Sequence, residues 1–212
     1  MDTESLPDGR DPLHQLVGEW SDPVAHAHTS WYEPLPHALV QQAATSRHGR
    51  RVLATRLRET VPLGRLASAE PAWRQAAWAF GDAAALTQHI DRVGWWVMQP
   101  WVARAIDRAQ VGAIVACVGR ERHEQALRVR HAFVRAETRL ASAPRTAAEV
   151  HEAMRTLGWR ALSASLVGPM TPLRDRLRLI TGAALDASPL EAAIEIDSAA
   201  LLDQLSAETE AQ

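Results

Sequence analysis

The sequence predicts an all-α protein, an irregular multi-helix globular domain of about eight to ten helices, several of them short. Three observations predict it. Apolar residues recur at helical spacing, as in Leu86, Ile90, Val93 and Val97, or Val150, Met154, Leu157, Ala161 and Ala164. Helix-start signals stand where those stripes begin: Thr146-Ala147-Ala148-Glu149 and Ser188-Pro189-Leu190-Glu191 read as capping boxes, and Pro71 suits a first helical position. Alternation of apolar and polar residues is confined to Ile194-Glu195-Ile196-Asp197, so a short strand near the C-terminus is the single β alternative.

The elements follow in order. Residues 1–12 carry Pro7, Gly9 and Pro12 among acids and read as a flexible N-terminus. A short helix is expected from Pro12 to Trp20, then a proline-rich loop from Ser21 to Pro36 with one turn at Ser30-Trp31. His37 to Arg47 and Gly49 to Thr60 read as two helices split at Gly49, with a break at Pro62-Leu63-Gly64. A helix from Pro71 to Gly81 precedes a longer one from Ala83 towards Met98, which Pro100 should kink or end. Ile106 to Val118 forms an apolar helix closed by Gly119, and Arg120 to Leu140 a charged amphipathic helix ending before Pro144. The Thr146 box opens the clearest helix of the chain, stopped by Gly168-Pro169, and Pro172 to Ile180 adds a short one. Residues 13–182 form the helical body. Residues 183–212 form an acidic helical extension with Leu190, Ile194, Leu201 and Leu205 on its apolar face.

Charge is unevenly spread along the chain. All 23 basic residues are arginine, and the last is Arg178. Seven acids follow it without a base, so of 25 acids 18 lie upstream against 23 arginines, a body near +5 with an acidic tail. The tail is expected to fold back on the body or to clamp a partner. Absence of lysine reads first as genome composition and second as guanidinium chemistry suited to interfaces. The stretch from Arg47 to Arg65, six arginines with one acid, reads as a solvated face or protein patch before a phosphate-binding one.

Reactive constellations are missing from the pattern. Nine histidines include one close pair, His26 and His28, in a proline-rich loop, and neither His123-Glu124 nor His151-Glu152 continues to a second histidine at metal spacing. Cys117, the single cysteine, stands in an apolar run and is expected to be buried and inert. Neither a nucleophile elbow nor a glycine-rich phosphate loop occurs. No apolar run approaches the roughly 18 residues of a membrane span. The reading is therefore a cytoplasmic protein without enzyme activity, catalytic residues, metal or cofactor.

Eight tryptophans against two Phe and one Tyr are the unusual feature. Trp95, Trp96 and Trp101 cluster around Pro100 and read either as the edge of the core or as interface anchors.

Residues His89 to Phe133, with Gly94, Arg104, Ile106-Asp107, Gly119 and Ala126-Leu127 as marks, resemble the SctK (YscK-like) family of type III secretion sorting-platform accessory proteins. Ser30-Trp31-Tyr32-Glu33-Pro34-Leu35-Pro36 resembles that family's N-terminal segment, and Leu157 to Leu179 its C-terminal pair of helices. Arg108 stands where the family often has glycine, Pro100 interrupts, and the acidic tail has no counterpart. The resemblance implies an adaptor linking a SctQ-type pod protein to the cytoplasmic domain of a SctD-type ring protein, peripheral to the inner membrane through the secretion apparatus. Its surfaces are expected at Trp95, Trp96, Trp101, Arg104, Asp107 and Arg108, and at Arg120, Arg128, Arg174 and Arg178. A helical secretion chaperone or regulatory binder is the alternative, and a nucleic-acid-binding regulator a further one.

Overall fold

The computed structural model describes residues 12–61, 71–134, 139–140, 142–182, 192–193 and 195–210. The chain is all-α. Helices α1 (Pro12–Ser21) and α2 (Pro23–His26) lead to a 3-10 turn at Thr29–Tyr32, then α3 (His37–Ala44) and α4 (Arg47–Thr60). A 3-10 stretch over Pro71–Phe80 precedes α5 (Ala83–Val102), α6 (Arg108–Val118) and α7 (Arg120–Ala126). After β1 (Arg139–Leu140) come α8 (Ala147–Ser165), a 3-10 turn at Gly168–Met170 and α9 (Thr171–Thr181). Strand β2 (Ala192–Ala193) and α10 (Ser198–Glu210) end the described chain. The two-residue strands pair antiparallel, Arg139 with Ala193 and Leu140 with Ala192.

Two compact units form, one from residues 1–86 with 166–187, the other from residues 87–165 with 188–212. The body expected over residues 13–182 contributes to both, and α10 belongs to the second. Position 62–64, the Ser188 capping box, Leu190 and Ile194 lie outside the described residues.

In the first unit Trp31, Tyr32, Val40, Leu53, Leu57, Val61 and Leu179 share one apolar cluster. The Trp31 indole N–H lies 3.0 and 3.1 Å from the carbonyls of Arg178 and Leu179, so the aromatic body packs while its polar edge finds the end of α9. Gly182 closes that helix with φ +102°, and a Cβ there would meet His28 Nδ1 and Ser30 Oγ at 2.6 Å. Ser46, not Gly49, marks the break between α3 and α4, since its hydroxyl accepts from the Gly49 N–H at 2.9 Å as an N-cap. Gly49 is needed inside the first turn of α4, where a Cβ would run into the Ala43 carbonyl. The helix expected over Pro71 to Gly81 is a 3-10 stretch broken at Ala76. Its Trp73 indole donates to the Pro169 carbonyl at 2.9 Å, and the buried Arg176 donates to the carbonyls of Ala79 and of Gly81 just beyond it.

In the second unit the stripe Ile90, Val93 and Val97 is fully buried, as are Val150 and Leu157 of α8. Ala164 is exposed, so that stripe ends a turn early. The Thr146 capping box forms as its pattern requires. Glu149 Oε2 accepts from the N–H groups of Arg145 and Thr146 at 2.7 and 3.1 Å, and Thr146 Oγ1 accepts from the Glu149 N–H at 3.2 Å. Those backbone donors hold the exposed Glu149 carboxyl below its ordinary value.

Three expectations are corrected here. Pro100 does not end α5, which runs on to Val102. The proline forfeits one bond, to the Trp96 carbonyl, and lies in the last turn of the helix, where little of the ladder remains to be disturbed. The helix expected from Arg120 to Leu140 stops at Ala126. Beyond it the chain turns at Leu127 and Arg128 and leaves the helix, with Phe133 packed against Trp96 and His131 and Val134 bridged to Ile196. The C-terminal helix begins at Ser198, where Asp197 Oδ1 accepts from the Ala200 N–H at 3.2 Å. The alternation around Ile196 thus surfaces as an isolated bridge.

Candidate functional site

The α5–α8 crossing builds the floor of the site. A Cβ on Gly94 would strike the Met154 carbonyl, and one on Gly158 would lie 2.8 Å from the Gly94 amide nitrogen and overlap the Ile90 carbonyl. Two glycines therefore let the backbones touch. At the edge of that contact Arg155 grips Asp91 with two bonds of 3.1 Å, and His151 Nε2 lies 3.2 Å from the same carboxylate.

Above this floor the second unit carries two recesses that share Trp96, Gln99, Val129 and His131. The first, about 530 Å³, is polar, with Gln88, Arg92, Arg122 and Gln125 on its walls. The carboxylates there face guanidinium groups: Asp91 pairs with Arg155, and Glu208 of α10 lies 3.5 Å from Arg92. His131 is wedged between Trp96 and Phe133, with ring centroids 5.1 and 5.3 Å away, and burial lowers its pKa. Its Nδ1 lies 2.8 Å from the Gln204 amide. Such groups make an ion-paired wall with a half-buried histidine set into it.

The second recess, about 380 Å³, is an apolar groove. Pro100, Ala103 and Trp96 form one side, Leu127, Val129 and Val134 the other, and Arg104 and Arg130 line it too. Leu127 is 52% exposed and Val129 38%. Nearby, Ile106 is 95% exposed, since the chain between α5 and the Asp107 N-cap of α6 turns it to solvent. Asp107 Oδ1 accepts from the Ala109 N–H at 2.8 Å.

Of the two readings of the tryptophan cluster, core edge or interface anchor, the burial of Trp95 and Trp96 fits the first. Trp95 and Trp96 are buried, with Trp96 lining the groove from within, and Trp101 is half-buried. Six of the eight tryptophans fall below 8% exposure, so aromatic surface in this chain serves packing. Arg104, Arg108, Arg120 and Arg128 are exposed on the second unit. Arg174 and Arg178 belong to the first unit, where Arg178 lies over Trp31 at 5.7 Å and Arg174 lies 3.8 Å from Asp175. On α4 Arg50 pairs with Asp22 and Arg56 donates to the Glu33 carbonyl, so two of that arginine stretch serve the fold.

Gln99, Val129, Arg130 and His131 were not singled out by the sequence, and Leu127 stood only as a mark of the family resemblance. In an uninterrupted helix Leu127 and Val129 would diverge by about 200° and share no face. After α7 the chain turns at Leu127 and Arg128 and runs irregularly to Val134, and that path sets Leu127 and Val129 on the same groove. Cys117 is half-buried, short of the full burial expected, and burial first and Asp91 second push its thiol up. Among the described residues no cluster of three metal-ligating side chains forms, and no helix is long and apolar enough to cross a membrane.

Comparison with protein-family profiles, with curated proteins and with solved structures finds no match for this chain.

Proposed function

We propose that this chain is a non-enzymatic protein-binding adaptor of a bacterial type III secretion sorting platform, linking a SctQ-type pod protein to the cytoplasmic domain of a SctD-type ring protein. The observation that carries the reading is the groove around Trp96, Leu127 and Val129, with arginines at its sides. Exposed aliphatic side chains beside a recess are what a protein partner covers, since leaving them in water costs about 25 cal/mol per Å² of apolar surface. Apart from Val134 the groove is lined from within His89 to Phe133, the segment whose ordered marks resemble the SctK family. Two units, each with its own arginines, suit an adaptor that must hold two partners.

The test is reconstitution from purified components. The adaptor should co-elute with the pod protein, with the ring protein's cytoplasmic domain, and with both together in a ternary complex that the two partners do not form alone. Binding to neither refutes the reading.

A further inference from the structure

We propose that the groove of the second unit receives an acidic amphipathic segment of a partner protein, which sets one apolar side chain between Pro100 and Leu127 and donates an N–H to Gln99. The inference rests on the binding function above only for the identity of the partner; the chemistry is read from the groove itself.

Gln99 is the first observation. The residue is 5% exposed, it lines both recesses, and among the described residues its Oε1 has no hydrogen-bond partner. A buried amide oxygen in that state is costly, and a ligand that brings an N–H repays it. The second observation is charge. Among the described residues no carboxylate lines the apolar groove, whereas Arg104 and Arg130 do. From Arg120 to Arg130 four arginines stand against two glutamates. Arg104 Nε is held by the Pro100 carbonyl at 3.1 Å, which fixes its stem along the groove wall. Guanidinium groups fixed beside an apolar floor select carboxylates that flank an apolar residue and repel basic sequences. The third is size. About 380 Å³ accepts one large aliphatic or aromatic side chain with adjoining backbone, and not a folded domain.

The experiment is selection of a displayed library of short random peptides on the intact protein, followed by solution binding of the enriched peptides. Enriched sequences should carry Asp or Glu beside Leu, Ile, Phe or Trp. Leu127→Glu, and separately Arg104→Glu with Arg130→Glu, should weaken them by at least about tenfold. Those side chains are exposed, so the fold is retained, as an unchanged melting temperature will verify. Gln99→Leu should weaken binding several-fold without loss of thermal stability, because it removes the orphan acceptor and keeps the volume. Enrichment of basic peptides, no enrichment, or affinities indifferent to these substitutions overturns the proposal. So does a dimer of the chain that Leu127→Glu dissolves, because a second copy then fills the groove. The same variants assayed on pod and ring proteins separate the two readings. Partner binding that ignores Leu127→Glu leaves the adaptor standing and removes the groove as its docking place. No partner binding with acidic peptides still selected does the reverse.

Discussion

Arg176 closes on Glu19 inside the first unit, with Nε to Oε2 and Nη2 to Oε1 both at 2.7 Å. The arginine is 2% exposed and the glutamate 4%. Its remaining N–H groups reach the Ala79 and Gly81 carbonyls, and Phe80 lies 5.7 Å below the guanidinium. One side chain thus ties α9 to α1 and satisfies the end of the 3-10 stretch. Because both charges are desolvated, removing one strands the other.

Glu19→Ala or Arg176→Ala should therefore lower unfolding free energy by about 3–5 kcal/mol. Replacing both with Met should cost markedly less, since no charge is then left buried. Urea unfolding of the two single variants and the double variant measures this, and equal losses in all three would show that packing, not charge, sets the cost.

At the α5–α8 crossing, an alanine at Gly94 or Gly158 raises intrinsic helix propensity by about 1 kcal/mol. It should nonetheless destabilise the protein, by about 1–3 kcal/mol or more, because the added carbon meets backbone that cannot yield. A rise in melting temperature for either variant would mean that the helices are not in backbone contact.

His89 is 8% exposed, and burial first and the neighbouring Arg92 second lower its pKa to about 4. The folded state then resists a proton that the unfolded chain accepts near the ordinary 6.5. Stability should be full above that value and fall as pH drops from about 6.5 towards 4, with His131 acting in the same direction. Thermal melts across that window should show the decline, and His89→Gln should flatten it.

Leu201 and Leu205 of α10 are fully buried, whereas Glu208 and Arg92 are partly exposed. Leu205→Ala should cost about 2–5 kcal/mol. Glu208→Gln should cost less than about 1 kcal/mol and become neutral in high salt. Among the described residues of the acidic tail, α10 packs through apolar contacts with one ion pair near its end. If the two substitutions cost the same, charge holds the helix after all.

The Thr146 hydroxyl caps α8 at the position its sequence pattern gives. Thr146→Ala should lower stability by about 1 kcal/mol, read as a shift in the urea midpoint at unchanged slope.

Local chemistry was legible in the sequence. The all-α class, the buried face of Ile90, Val93 and Val97, the Thr146–Glu149 cap and the stop at Gly168-Pro169 depend on residues within a turn or two of one another, and side-chain period and capping report them directly. What lay beyond reach were contacts between residues far apart in the chain. Whether α7 stops at Ala126 depends on Phe133 finding Trp96 and on Val134 bridging to Ile196. That one tertiary choice turns Leu127 and Val129 into a groove wall, and local helix propensity held no trace of it. The tryptophans show the same division: their abundance marked large aromatic volume, but only packing decided that Trp95 and Trp96 would face inward. Gln99 looked like any helical glutamine, and its orphaned oxygen exists only because the assembled unit shut water out around it.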